Sequence, residues 1–139
     1  MDSKLRGKII NATRRLTFAY SPRTIAKNRQ KRGPATYECQ HCQLWVYEGK
    51  RELESILDSL MDTPPNGIIK GKISVDHIEP VIPVEGFKNT VWDWNEYYDR
   101  MFCPVEGFQV LCKDCHHTKT QEENKGRRAV RAKNKKKSK

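Results

Sequence analysis

The sequence predicts an α+β fold in which a small cysteine-braced β unit lies between two basic helical arms. Three observations lead there. Four of the five cysteines fall into two C-x-x-C pairs, Cys39/Cys42 and Cys112/Cys115. Strand-type apolar runs flank both pairs, whereas residues 3–18, 21–33 and the stretch from Asp114 carry helix-type signals. The charge is also divided: residues 1–36 hold ten Lys/Arg and one acid, residues 125–139 hold nine and none, and residues 37–124 hold eight against sixteen acids.

At 139 residues the chain is one domain's worth. Its hydrophobic content of 36% is low for a packed globule, so reinforcement by a metal, or poorly ordered ends, is expected. No segment reaches membrane-spanning length and the N-terminus lacks an apolar signal core, so a cytoplasmic protein with no membrane partner is expected. The composition divides the chain into a basic helical arm over 1–36, a central domain over 37–124 and a basic tail over 125–139.

Taken in order, Ser3 to Phe18 reads as a moderately amphipathic basic helix, with Leu5, Ile9 or Ile10, and Leu16 on its apolar side. In "SPRTIAKNRQKRG", Ser21 is the expected N-cap, Pro22 fits the first turn, and Gly33 with Pro34 is the expected stop. "TYECQHCQLWVY" reads as two short strands around a metal-binding turn, with Tyr37, Leu44 and Val46 packing inward. Leu53, Ile56, Leu57 and Leu60 have the spacing of a core-facing helix, which "TPPNG" stops. "IIKGKISVDHI" then returns to β-type residues and runs into the pair Asp76-His77. "PVEGF" occurs at Pro83–Phe87 and again at Pro104–Phe108, too few copies for a repeat architecture. In "TVWDWNEYYDRMF" the aromatic residues are read as a short helix covering the core rather than as base-stacking groups. "EGFQVLCKDCHHTKT" is a strand, a turn through the second cysteine pair, and a helix from near Asp114. Past Lys125 there is no apolar stripe, and disorder is expected unless the tail is bound to a partner.

Paired C-x-x-C spacing in a chain without a secretion signal favours a metal over disulfides. Four thiolates suit a structural zinc ion, which needs no open coordination position. The 69 residues between the pairs make that ion the closure of a long loop. His41 is expected to be a bystander and Cys103 a spare thiol.

Asp76 and His77 inside the loop and His116, just past the second cysteine pair, form a second constellation. A carboxylate with one imidazole can hold a divalent ion that keeps most of its positions for water and substrate, which suits Mg²⁺ or Mn²⁺. The other imidazole, near its ordinary pKa, can take a proton from water. Neighbouring residues of a regular strand face opposite ways, so the strand must end or twist here, and Pro80 makes that reasonable. A helix from Asp114 would put His116, Lys119 and Thr120 on one face, with Lys119 free to meet a phosphate and His117 turned away. Basic arms release counterions when they neutralise phosphates. Arg14, Arg15, Arg29, Arg127 and Arg128 are therefore the expected substrate-binding residues, and duplex DNA the expected partner; no RNA-reading module is visible.

These motifs carry a family resemblance. "YECQHC", "VDHIEPV" and "LCKDCHHTKT", in that order, resemble the zinc-braced HNH endonucleases of the ββα-metal type. Together with "SPRTIAKNRQKRG" and "WDWNEYYDRMF", the likeness extends over residues 14–121 to the small HNH proteins of tailed bacteriophages. The resemblance implies a ββα-metal finger with a four-cysteine zinc site and flanking basic helices. It implies His77 as general base, Asp76 and His116 as ligands of the catalytic Mg²⁺ or Mn²⁺, and Cys39, Cys42, Cys112 and Cys115 as ligands of structural Zn²⁺. The implied activity is nicking or double-strand cleavage of DNA leaving 5′-phosphates. Packaging beside a phage terminase, homing and attack on host DNA all stay open as roles, and the location would be the host bacterial cytoplasm if the protein is phage-encoded. One departure stands out: the family's Asn five residues before the third cysteine is Gly107 here, with Asn89 or Asn95 as spatial substitutes. The rival expectation is a zinc-braced DNA-binding or packaging-accessory protein without nuclease activity.

Overall fold

The computed structural model describes residues 1–88 and 92–137, and its architecture is α+β with two small sheets. Helix α1 spans Ser3–Phe18, and the Asp2 carboxylate caps it by accepting from the Lys4 N–H at 3.1 Å. Ile10 packs on an aromatic cluster. Helix α2 spans Ser21–Arg29, with Pro22 in its first turn as expected. Its N-cap is Tyr20, not Ser21, and no side chain caps it. The helix also ends four residues before Gly33, because β1 (Lys31–Gly33) pairs back on β2 (Thr36–Glu38), with Ala35 in the left-handed region at φ 48°. Residues 31–38 are thus one hairpin crossing the expected arm boundary at 36.

Strand β3 (Trp45–Tyr47) is buried throughout and joins β2 antiparallel and β4 (Ile68–Lys70) parallel. Between β3 and β4 the expected leucine-rich α-helix is a 3-10 helix, Leu53–Ser59. With three residues per turn, positions 53 and 56 eclipse and the 3.6-residue stripe does not form. Ile56 is therefore buried while Leu57 is exposed. The "IIKGKISVDHI" run is two strands in different sheets, since Gly71 breaks it by donating to the Tyr47 carbonyl at 2.9 Å.

The second sheet positions the chemistry. Strand β5 (Ile73–His77) pairs antiparallel with β6 (Phe108–Cys112), Ile73 opposite Cys112 and His77 opposite Phe108. Helix α3 (Trp94–Met101) covers one end of this pair, with Asp93 accepting from the Glu96 N–H as its cap. Its Tyr97 and Met101 are buried among Trp92, Trp94, Tyr98 and Phe102 and make face and edge ring contacts, so the aromatic segment is core. Asn89, Thr90 and Val91 lie outside the described residues.

Helix α4 (Lys113–Lys137) leaves β6 directly and corrects the expectation of a disordered tail. Lys, Arg and Ala are good helix formers, and the middle of the helix is anchored. Arg127 donates to the Ile82 carbonyl at 3.0 Å. A Cβ at position 126 would lie 3.0 Å from Val84 Cγ1, so Gly126 lets the helix approach that loop closely. Among the described residues no helix is long and apolar enough to cross a membrane.

Candidate functional site: a thiol cluster and an adjoining cleft

Two sites emerge, at opposite ends of the β5–β6 pair. The first is the thiol cluster. After β2 the chain turns sharply: Gln43 adopts φ 63° and donates to the Cys39 carbonyl at 2.9 Å, while the Cys39 N–H donates to Leu44 at 2.8 Å. Gln40 ties this turn to β6, its N–H donating to the Val110 carbonyl at 2.8 Å and its side-chain oxygen accepting from the Val110 N–H at 2.6 Å. Cys112 closes β6 and Cys115 lies three residues on, one helical turn away on the same side of α4.

The four ligand sulfurs lie within 4.8 Å of one another, and Cys42 and Cys112 are 3.6 Å apart. That spacing is far too long for a disulfide of about 2.05 Å. It matches the roughly 3.8 Å edge of a tetrahedron with Zn–S bonds of about 2.3 Å. The residues fit a structural metal ion such as zinc. The acid–base setting agrees. Burial opposes ionisation of Cys39, yet N–H groups of Cys42, Cys112 and His41 outweigh it and bring the thiol to about 7. Burial pushes Cys42 and Cys115 up instead, and for Cys115 neighbouring thiols add to the rise. His41 is exposed and is not one of the four, but its Nδ1 is 3.4 Å from Cys115 Sγ. Cys103 stands apart, half-buried.

The second site is a cleft of about 450 Å³ at the end of β5, between α1, α2, α3 and α4. Asp76 and His77 both open onto it. They leave the strand on opposite sides, and the cleft receives both because β5 stops at His77. The Asp76 carboxylate turns to α4: Oδ2 is 2.8 Å from Lys119 Nζ and Oδ1 is 4.0 Å from His116 Nε2. The His77 ring turns to α3, its Nε2 lying 2.8 Å from the Met101 carbonyl and its ring centre 4.8 Å from that of Phe108, tilted by 44°. A carbonyl only accepts, so Nε2 carries the proton and Nδ1 is left with the basic lone pair.

Sequence reasoning expected Lys119 to face a phosphate. The ammonium instead bridges Asp76 and Glu123 and donates to the His77 carbonyl at 2.9 Å. Burial works to lower its pKa, but the hydrogen bonds to Asp76 and Glu123 outweigh that and raise it.

Of the expected substrate-binding arginines, Arg14 and Arg127 line the cleft. Arg15 is exposed and does not; Arg29 is 3.6 Å from Glu106, and Arg128 lines a separate hollow with Gln121 and Lys125. His116 touches Asp76 without lining the cleft, and Thr120 and His117 are exposed. Asn95 is exposed on α3 and does not line the cleft. Gly107 has its own reason: a Cβ there would lie 2.5 Å from Cys103 Sγ, while its carbonyl accepts from the Ile78 N–H at 2.9 Å and extends the β5–β6 pairing. Three wall residues were missed. Glu123 was findable, since it lies four residues from Lys119 and seven from His116 on one helical face. Arg23 and Phe18 depend on how α1 and α2 pack, which no local pattern encodes.

No family model, no curated protein and no solved structure matches this chain.

Proposed function

We propose that the chain is an HNH-type, metal-dependent DNA endonuclease whose ββα-metal unit is β5, β6 and α4. The observation that carries the reading is that Asp76 and His77 open together onto a cleft walled by Arg14, Arg23 and Arg127, with His116 4.0 Å from Asp76 just outside it. Asp76 Oδ1 and His116 Nε2, 4.0 Å apart, are the atoms that would hold Mg²⁺ or Mn²⁺. Such an ion, when bound, stabilises charge on the attacked phosphate and on the leaving 3′ oxygen.

The chain's own residues do the rest. The Met101 carbonyl fixes the tautomer and tilt of His77, so Nδ1 is the atom that takes the proton from the attacking water. A backbone carbonyl and the Phe108 ring orient that imidazole, and the loop beside it, which the resemblance would have an Asn fix, carries Gly107 here. Arg14, Arg23 and Arg127 hold the flanking phosphates and fix register without reading bases. Lys119 holds the Asp76 carboxylate pointed at α4.

One observation favours the rival, a zinc-braced DNA-binding protein without catalysis. Lys119 already neutralises one Asp76 oxygen and Glu123, so the site is satisfied without a divalent ion. Relaxation of supercoiled plasmid in Mg²⁺ or Mn²⁺ separates the two. The native protein converts it to nicked or linear form, and His77→Ala, which removes no ligand of either proposed metal site, is slower by about 10²–10⁴-fold. Equal cutting by both, or DNA binding with no cutting by either, supports the rival.

A further inference from the structure

The corner where α1 meets α2 exposes an aromatic ring at the mouth of the cleft, and neither the core nor the proposed hydrolysis uses it. Phe18, the last residue of α1, is 68% exposed. Its neighbour Thr17 is buried, so the corner itself is anchored while the ring points out. Arg14, one turn back on the same helical face, lines the cleft with it. From α2, the Arg23 guanidinium lies 4.9 Å from the Phe18 ring centre, with Nη2 3.5 Å from the Val75 carbonyl. One face of the ring is therefore backed by a cation held on β5, and the other is open.

The charge around the ring selects its occupant. An apolar protein surface laid on Phe18 would also cover Arg14 and Arg23 and strip them of water without supplying anions. A nucleotide supplies both requirements, a flat base for the ring and phosphates for the guanidiniums. Duplex DNA offers only base edges in its grooves, because its base faces are stacked on one another. An unpaired base is the form that presents a free face. The other exposed apolar residues of α1, Leu5 and Leu16, lie on a separate stripe of the helix and do not line the cleft, so they do not share this role.

We infer that Phe18, Arg14 and Arg23 form a subsite for an unpaired nucleotide next to the phosphate held in the cleft, so that the preferred substrate is DNA with a single-stranded stretch, branch or gap. The inference rests on the nuclease reading for its account of the cleft, but its test does not require cutting. Binding of a short fluorescein-labelled single strand, and of the same strand in a blunt duplex, is followed by fluorescence anisotropy on zinc-loaded protein with no other divalent ion added. Phe18→Ala weakens single-strand binding by about 5- to 100-fold, the equivalent of one base–aromatic stack, and leaves blunt-duplex binding within twofold. Phe18→Trp binds the single strand like the native chain. Arg14→Gln and Arg23→Gln weaken both ligands. The inference is overturned if Phe18→Ala binds the single strand as the native protein does or loses both ligands equally. It is also overturned if sedimentation shows a native dimer that Phe18→Ala converts to monomer. A protein that discriminates the strands through Phe18 yet never cuts would sink the nuclease reading and leave the subsite standing. A protein that cuts but is indifferent to Phe18→Ala would do the reverse.

Discussion

Replacing Cys112 with serine removes one of four sulfurs that join the Cys39–Cys42 turn to the β6–α4 junction. The structure sets the size of the effect. The two halves of the cluster are separated by the 69 residues from Gln43 to Leu111. A cross-link closing a loop of roughly 70 residues removes about 4 kcal/mol of chain entropy from the unfolded state. A structural zinc that binds only the folded chain contributes its binding free energy on top of that. Cys39, Val46, Ile73, Val110, Leu111 and Cys112 form one buried cluster around the sulfurs, so losing the ion also loosens the packing that seats β5. Domains of this size are stable by about 5–15 kcal/mol, and at about 3–4 °C per kcal/mol a loss of 4 kcal/mol or more lowers Tm by at least about 12 °C or abolishes the cooperative transition. Circular dichroism melting with and without a strong chelator, alongside zinc content by atomic absorption, reads both quantities. The native protein should carry one zinc per chain and lose its transition on chelation; Cys112→Ser should match the chelated sample. If Cys112→Ser melts with the native protein, or if the native chain purified with zinc available holds none and still melts cooperatively, the cluster is not the brace described here.

Further expectations concern the cleft and its supports. Gly107→Asn would drive a Cβ against Cys103 Sγ and should cost about 1–3 kcal/mol. Thermal melting should show the loss, and Cys103→Ala in the same chain should recover only part of it, because the Cβ of residue 103 would still lie 2.9 Å from the added Cβ. Lys119 titrates above its ordinary 10.5 in the folded protein. Its contribution is therefore complete below about pH 10.5 and is lost as pH rises through the higher folded value. Urea unfolding should show Lys119→Met less stable than the native chain at about pH 9, with the gap shrinking at more alkaline pH; a gap constant with pH contradicts the ion-pair account. For binding to duplex DNA, Arg14→Gln and Arg127→Gln should each reduce the slope of log K against log salt by about one. Arg29→Gln, whose side chain faces Glu106 at 3.6 Å, should leave that slope unchanged.

What was legible in the sequence and what was not divides along physical lines. Cysteine spacing fixes the thiol cluster because a C-x-x-C turn and a C-x-x-C helix start present sulfurs in only a few ways. The extents of α1 and α3, the strands around the first cysteine pair, and the start of α4 beside Asp114 follow from local propensity and capping. The leucine segment misled because Leu53, Ile56, Leu57 and Leu60 satisfy an α-helical period while tertiary packing selects a 3-10 turn with Ile56 inward. The tail misled because apolar spacing was the criterion, whereas α4 persists on propensity and on Arg127 reaching Ile82. Asp76 and His77 in the cleft, and His116 beside Asp76, were visible as residue types near a strand end and a helix start. The Met101 carbonyl that orients His77 has no letter in the sequence, since every residue carries one. The partnership of Lys119 with Asp76 was equally hidden: a lysine three residues after a histidine reads as free until the strand bearing its carboxylate is docked beside it.

Manganese binding and DNA cleavage, measured together on three single variants, test the central claim most directly. Electron paramagnetic resonance of zinc-loaded protein should count one Mn²⁺ per chain in the native form and in His77→Ala, and none in Asp76→Ala or His116→Ala. Cleavage of plasmid in the same buffer should be present only in the native sample. Manganese held equally by all four proteins, or plasmid cut at the native rate by any of the three variants, would contradict the assignment of Asp76 and His116 to the cation and of His77 to the proton.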